Sequence, residues 1–251
     1  MDRLFTLSSN TSVLSQDYFP PIELDKGASY ALGLYNLSTF NSVPNVIKDK
    51  NDIFNYFVVD ENYFFSGYQF IIPEGAYEIE ALEKLLFEVT YKQHEAHLKN
   101  KFQKDQFKFS LKPNVNTQKV EILASFPIHF PTEGPSVGEI LGFHDILIAA
   151  NTLASSNATV KITTVDVINV ECNIVSGSYI NGQASHTLYS FCHSDVPAGY
   201  KISQRPTNLL FLPLNTTHLS NITLRLVDQE GKLVNFRNEQ IVIQLILRKT
   251  G

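Results

Sequence analysis

The sequence is poor in the residues that stabilise secreted domains and build zinc sites. Its 251 residues include no tryptophan and two cysteines, Cys172 and Cys192. Two cysteines without CxxC spacing are too few for a disulfide scaffold or a structural zinc site. We therefore expect both thiols to be reduced.

Long hydrophobic runs are absent as well. No apolar stretch approaches the roughly 18 residues that a membrane-spanning helix requires. Residues 1–16 read MDRLFTLSSNTSVLSQ and lack the apolar segment of a signal peptide. We therefore expect no membrane span, and synthesis in the cytoplasm or nucleus.

Basic residues are scarce. The chain has 20 Lys and Arg against 25 Asp and Glu, which gives a formal net charge of −5. No stretch concentrates basic residues with aromatic residues between them, so the sequence predicts no specific nucleic-acid partner.

The histidines do not group into a metal site. His94 and His97 are three residues apart, whereas the zincin motif places two histidines four apart on one helix face. We predict that both are solvated at the end of a helix. The other histidines lie in separate segments, without the His-x-His pair of a metal-binding cupin: His129, His144, His186, His193 and His218.

Catalytic motifs are missing too. The sequence has no G-x-S-x-G elbow, no phosphate-binding glycine loop and no paired carboxylate motif. Cys172 has the apolar parity of a strand and is predicted to be a packed core thiol. We assign no catalytic, cofactor-binding or metal-binding residue, expect no cofactor, and predict that the protein is not an enzyme.

What the chain does contain is alternation of apolar and polar residues, with 43% hydrophobic residues, 18 Phe and 11 Tyr. In residues 219–227, Ile222, Leu224 and Leu226 share one face, which predicts a strand with one wet side. A turn follows, and Gly231 is expected to close it with a positive φ. The other predicted strands are 28–37, 53–59, 63–72, 106–113, 118–126, 160–174, 185–192, 209–214 and 241–247.

Helical spacing of apolar residues occurs from Ile79 to Val89. We predict a single long helix there, in an insertion at about 74–100 that packs on the sheets. A shorter helix is predicted after Ser136, with Gly142 closing it.

The strands recur at regular spacing, and no βαβ alternation or internal repeat is visible. The sequence therefore predicts an all-β fold, a single jelly-roll β-sandwich of two antiparallel sheets with one inserted α-helix and short helical excursions. Residues 1–26 are polar and contain Pro20 and Pro21, so we predict a flexible N-terminal arm. Residues 27–251 are then the jelly-roll domain.

A set of short blocks has a distinctive order along residues 28–248, and none of them is a catalytic signature. The blocks are Asn41-Ser42-Val43-Pro44-Asn45, Ile72-Pro73-Glu74-Gly75-Ala76-Tyr77-Glu78-Ile79, Leu141-Gly142-Phe143, Val170-Glu171-Cys172-Asn173-Ile174, Gly177-Ser178-Tyr179-Ile180-Asn181-Gly182, Pro197-Ala198-Gly199-Tyr200 and Val227-Asp228-Gln229-Glu230-Gly231. With them the chain resembles the capsid proteins of Polinton/Maverick elements and the related adintoviruses, which are large virus-like DNA transposons of animals.

Those elements carry a double jelly-roll hexon and a smaller, single jelly-roll penton. With one run of strands, the chain is similar to the penton, which is a minor capsid protein. The resemblance implies a homopentamer at the fivefold vertices of an icosahedral capsid, beside trimers of the double jelly-roll major capsid protein, and a location in the virion. The RGD tripeptide of many adenoviral pentons is absent.

Two other functions stay open at this point. One is a jelly-roll module that binds carbohydrate or a receptor, such as a virion spike. The other is a cupin-type enzyme, which the missing metal histidines disfavour. Oligomeric state separates the first of these from a penton, because a penton forms a ring of five whereas lectin-like and spike jelly rolls are monomers, dimers or trimers.

Overall fold

The computed structural model describes residues 2–25, 27–60 and 62–250. The chain folds into two compact units. The first, which we call the sandwich unit, comprises Met1–Val43 and Val165–Gly251, and the second, the inserted unit, comprises Pro44–Thr164. The inserted unit therefore interrupts the sandwich unit along the chain.

The strands in chain order are β1 (Arg3–Ser9), β2 (Val13–Glu23), β3 (Tyr30–Phe40), β4 (Ile53–Val59), β5 (Phe65–Ile71), β6 (Phe109–Asn114), β7 (Lys119–Ala124), β8 (Ile128–Phe130), β9 (Ile146–Ile148), β10 (Leu153–Ser155), β11 (Ile168–Cys172), β12 (Ser178–Ile180), β13 (Gln183–Ser185), β14 (Thr187–Phe191), β15 (Lys201–Gln204), β16 (Leu212–Pro213), β17 (His218–Val227) and β18 (Ile241–Lys249). The helices are α1 (Ile79–Leu98), α2 (Gly138–Leu141) and the 3-10 turns Lys99–Lys101 and Lys104–Gln106.

The sandwich unit contains two antiparallel sheets. One has the order β1-β18-β3-β15, with β16 also pairing with β3, and the other has the order β14-β11-β17-β2. If these eight principal strands are counted along the chain, the orders are 1-8-3-6 and 5-4-7-2. This arrangement is a single jelly roll, so the predicted fold class is confirmed.

The core of the sandwich unit comes from the inward faces of both sheets. On β17, the predicted apolar face of Ile222, Leu224 and Leu226 is fully buried, and alternate residues of β18 from Ile241 to Leu247 are buried as well. The two strands nevertheless belong to different sheets. Alternation therefore identifies the buried face of each strand, but it does not identify the strand's neighbours.

The N-terminal segment differs from the predicted flexible arm. β1 pairs with β18, and β2 pairs with β17. Phe5 and Leu7 on β1 and Leu14 on β2 are buried in the core. The prediction failed because these few apolar residues find their partners at the other end of the chain, where no local pattern points to them. Of the predicted arm, Met1 and Lys26 lie outside the described residues.

The inserted unit has a core of its own, formed by the sheets β5-β4-β8-β9 and β10-β7-β6 together with α1. α1 packs on β6 of this unit, where the Leu111 amide donates to Glu83 Oε1 at 3.2 Å. The insertion is therefore Pro44–Thr164 and not a helical excursion at about 74–100. Its strands show the same alternation of apolar and polar residues as those of the sandwich unit. This pattern alone therefore predicted one domain and could not separate the two units.

The predicted strand 160–174 is also shorter than expected. Only β11, Ile168–Cys172, is a strand, and the chain passes from the inserted unit to the sandwich unit between Thr164 and Val165. The break in apolar parity near Thr164 marks this junction.

Two turns have a well-defined backbone, and the second is the one predicted after residues 219–227. The β12–β13 hairpin turns at Asn181 and Gly182, which both have positive φ, as a type I′ turn requires. After β17, the amides of Glu230 and Lys232 donate to Asp228 Oδ1 at 2.8 and 2.9 Å, and Gly231 has φ +79°.

Leu14 and Leu4 test whether the N-terminal segment is part of the fold. Leu14 is fully buried, whereas Leu4 on the neighbouring segment is 56% exposed. We expect Leu14→Ala to lower the free energy of unfolding by about 2 to 5 kcal/mol, because a buried leucine leaves a cavity. Leu4→Ala should change it by less than about 0.5 kcal/mol. Urea titration measures both, and equal, negligible effects would mean that the segment is a flexible arm.

Gly231 tests the turn after β17. A Cβ at this position would meet no atom within 4 Å, so a substitution is opposed by backbone conformation and not by a clash. We expect Gly231→Val to reduce the free energy of unfolding by about 1 to 2 kcal/mol. Gly231→Asn is the matched control and should cost less, because asparagine tolerates the left-handed conformation. Equal stability of the valine variant and the parent in urea would contradict the turn.

Candidate functional site

Titratable side chains are dispersed over the structure. Within residues 2–25, 27–60 and 62–250, no group of three or more His, Cys, Asp or Glu side chains is placed to hold a metal ion. In the same ranges, no helix combines the length and the apolar composition of a membrane span. The candidate sites are therefore surfaces that could bind another molecule.

His94 and His97 differ from each other in the structure. His97 is exposed, and its Nδ1 lies 2.8 Å from the Tyr68 hydroxyl. His94 is 5% exposed, so the prediction that both are solvated is wrong for this residue. It is buried because it continues the inward face of α1, four residues after Thr90 and eight after Leu86.

The His94 ring packs among aromatic side chains. Its centroid lies 4.7 Å from that of Phe126, 5.1 Å from Phe107 and 6.2 Å from Tyr56. Burial lowers the pKa of His94 and raises the pKa of Tyr56 to about 12, because it disfavours the charged form of each side chain. Both rings are therefore neutral at pH 7.

A groove of about 1270 Å³ opens beside His94 in the inserted unit. It is formed by the end of α1 and the chain from there to Lys108, which includes the two 3-10 turns, by the turn between β4 and β5, and by Ser125, Phe126 and Asn151. Its lining includes lysines, amides and aromatic rings, and we refer to it as the α1 groove. It could not be predicted from the sequence, because its residues come from four separate segments of the chain.

A second surface is the outer face of the β5-β4-β8-β9 sheet. Phe57 on β4 lies on this face, since its ring is 3.5 Å from a Cβ built on its β5 partner Gly67 and contacts Phe65 edge-to-face. Phe65, Ile71 and Leu147 are 62 to 65% exposed on the same sheet. Such a group of exposed apolar residues on one sheet is typical of a surface that another molecule covers.

The outer face of the sandwich sheet β14-β11-β17-β2 is polar by contrast. Asn221 Nδ2 donates to Asp17 Oδ1 at 2.7 Å, and the Thr223 hydroxyl donates to Asn221 Oδ1 at 2.7 Å. Arg225 Nη1 lies 3.2 Å from Glu171 Oε2. These side chains form hydrogen bonds and an ion pair with one another across the strands. This face is therefore a hydrated surface, and none of the side chains just named is left unpaired.

The two cysteines occupy different environments. Cys172 is 1% exposed in the sandwich core, as its parity predicts, and burial raises its pKa to about 11. Cys192 is exposed. Because the thiolate is the reactive form, the environment of Cys172 makes it inert.

Comparison with known proteins gives a match in structure only. No protein-family model matches the chain, and no curated protein is significantly similar in sequence. The fold is similar to that of the crystal structure of the SeMet-labelled mavirus penton protein, with a TM-score of 0.50 and 12% identity. The similarity covers 99% of each chain. At this identity, the comparison shows that the two chains share a fold.

Thiol labelling tests the burial of Cys172. With a pKa near 11, about 0.1% of Cys172 is thiolate at pH 8, and the thiol is also shielded by the core. We expect one thiol per native chain to react rapidly with an aromatic disulfide reagent, and two after unfolding in guanidinium. In Cys192→Ser, rapid native labelling should disappear. Rapid labelling of native Cys192→Ser would show that β11 is not packed as described.

Proposed function

We propose that this protein is a structural subunit of an icosahedral virus-like capsid, a penton that occupies the fivefold vertices. The observation that carries the proposal is the jelly roll with its insertion, which is similar over 99% of both chains to the mavirus penton protein. We also propose that the role is non-catalytic. The dispersed titratable groups support this, together with the structural nature of that neighbour.

The finer assignment is to the pentons of Polinton/Maverick elements and adintoviruses, and it is supported by the sequence blocks that carry the resemblance. Several of them lie where the backbone turns or a helix ends. Gly142 closes α2 with φ +78°, and a Cβ there would clash with the Ala158 carbonyl oxygen. The blocks ending in Gly182 and Gly231 form the two turns described above. These residues maintain the scaffold, as expected for a subunit whose function is to have a defined shape.

Assembly would follow from contacts between copies. In a ring of five, each copy presents one surface to its neighbour and receives a different one, and the ring closes only at the rotation that the interface sets. The proposed neighbours are four further copies in the pentamer and the double jelly-roll major capsid protein around it, with the virion as the location. Tyr63, Phe64 and other exposed aromatic residues are of the type enriched in such interfaces.

Native mass spectrometry tests the assembly. We expect a species of five times the 28.3 kDa chain mass, increasing with protein concentration. The same sample in denaturing solvent is the control and should give the single-chain mass. A protein that stays monomeric at high concentration would contradict a self-assembling penton. A dimer or trimer would favour a carbohydrate- or receptor-binding spike module instead.

A further inference from the structure

Three consecutive aromatic residues are exposed where the turn between β4 and β5 meets β5. Tyr63 is 82% exposed, Phe64 72% and Phe65 62%, and we refer to these three residues as the aromatic tip. The ring of Phe57 on β4 contacts Phe65 edge-to-face and continues the apolar surface onto the sheet. So much aromatic area in contact with water is unfavourable, and it is typical of a site that another molecule covers.

The backbone of this turn forms its hydrogen bonds internally. Asp60 Oδ1 accepts from the amides of Asn62 at 2.9 Å and Phe64 at 3.0 Å. The Tyr63 amide donates to the Asp60 carbonyl oxygen at 3.0 Å, and the Asp60 amide donates to the Phe64 carbonyl oxygen at 3.2 Å. Amides that are already paired can leave water at little cost. The turn is therefore able to enter an apolar environment.

Tyr63 has a backbone conformation that a bulky side chain disfavours. Its φ is +62°, in the left-handed region where a Cβ crowds the backbone. Asparagine or glycine would form the same turn with less strain, and the exposed Tyr63 ring packs little against the fold. The fold therefore gains little from a tyrosine here, and residues held in such a conformation are typical of functional sites.

The charged groups around the aromatic tip balance one another. Lysine and aspartate side chains line the α1 groove beside Tyr63: Lys99, Lys101, Lys108, Asp60 and Asp105. Glu61, which lies outside the described residues, precedes Tyr63 by two positions in the sequence. Three charges of each sign provide no net attraction for an anionic surface, and the net charge of −5 on the chain opposes one. Binding at the tip must therefore depend on its apolar side chains.

We propose that the aromatic tip binds the surface of a zwitterionic lipid membrane, with the phenylalanine rings among the outer acyl-chain carbons and the Tyr63 hydroxyl at the headgroups. Aromatic rings with a polar end favour this interface, and binding there requires no spanning helix. A fluid membrane accommodates an exposed turn without a matching cavity, whereas a protein partner has to provide one. The lipid surface is therefore the partner that fits the tip best.

A fluorescent reporter tests the contact, because the chain contains no tryptophan. In full-length Phe64→Trp, we expect phosphatidylcholine vesicles to shift the emission to shorter wavelength, and lipids brominated near the headgroup end of their chains to quench it. Val115→Trp is the matched control, since Val115 is 85% exposed in the β6–β7 turn of the same unit. It should show neither effect. An unchanged Phe64→Trp emission, or equal quenching of both variants, would overturn the proposal.

Flotation of the parent protein with the same vesicles measures binding without a reporter. Because the contact is apolar, added phosphatidylserine or high salt should change the binding by less than about twofold. A requirement for phosphatidylserine, or loss of binding in high salt, would show electrostatic attraction and refute an apolar contact. Failure of the parent to float with any of these vesicles would refute membrane binding altogether.

Tyr63→Asn combined with Phe64→Ser removes two rings of the tip. We expect vesicle binding to weaken by about tenfold or more, with a melting temperature at or above that of the parent, because asparagine tolerates the left-handed conformation. Tyr179→Asn combined with Ile180→Ser is the matched control, since it removes two adjacent exposed apolar residues from β12. Equal loss of binding in both pairs, or lower stability with unchanged binding in the first, would overturn the assigned site.

Contact between copies is the alternative use of the aromatic tip, because interfaces are also enriched in aromatic residues. In that case the Tyr63→Asn and Phe64→Ser pair would prevent the pentamer in native mass spectrometry, and the Phe64→Trp emission would shift on assembly without vesicles. Either result would overturn the membrane assignment. A pentamer that binds no vesicles would refute this proposal alone, whereas a monomer that binds them would contradict the penton alone.

Discussion

The two sheets of the sandwich unit depend on pairing between opposite ends of the chain. β1 pairs with β18 without interruption from Arg3↔Leu247 to Ser9↔Ile241, and β2 pairs with β17. An ion pair also joins the two ends of the chain, since Arg248 Nη2 lies 2.8 Å from Asp2 Oδ2. The hydrogen bond from Arg248 holds the pKa of Asp2 below its usual value. Because that pair is solvent-exposed, its contribution is small, and burial of Phe5 and the other inward residues provides most of the stability. Neither sheet is complete until its C-terminal strand, β18 in one sheet and β17 in the other, is available.

This closure explains how a large insertion is tolerated. An unstructured loop between β3 and β11 would increase the entropy lost when these strands are brought together, although the loss grows only slowly with loop length. Pro44–Thr164 forms its own core instead, and the Thr164 hydroxyl donates to the Pro44 carbonyl at 3.3 Å. The ends of the inserted unit thus meet, and for the jelly roll it acts as a short connection.

Local physics explains which parts of this fold could be predicted from the sequence. The inward faces of β17 and β18, the helix from Ile79 and the turn at Gly231 each follow from spacing or from one residue's conformational preference, and all were predicted. Sheet membership depends on partners far along the chain, so the N-terminal strands and the extent of the insertion were missed. His94 was predicted to be solvated because it was considered together with His97, three residues later, as part of a polar helix end. His94 lies four residues after Thr90 and eight after Leu86, and this helical spacing is the signal that would have predicted its burial.

The two units of the chain are therefore under different constraints. Each inner strand of the jelly roll is paired on both sides and packed on one face, so a change there disturbs the whole sandwich. The loops of the inserted unit have only to keep their own core closed, and recognition residues on loops are free to vary on a rigid scaffold. The α1 groove lies among such loops, since the lysines and amides of its lining come from short turns. The residues at 99–106 could therefore change without altering any strand of the jelly roll.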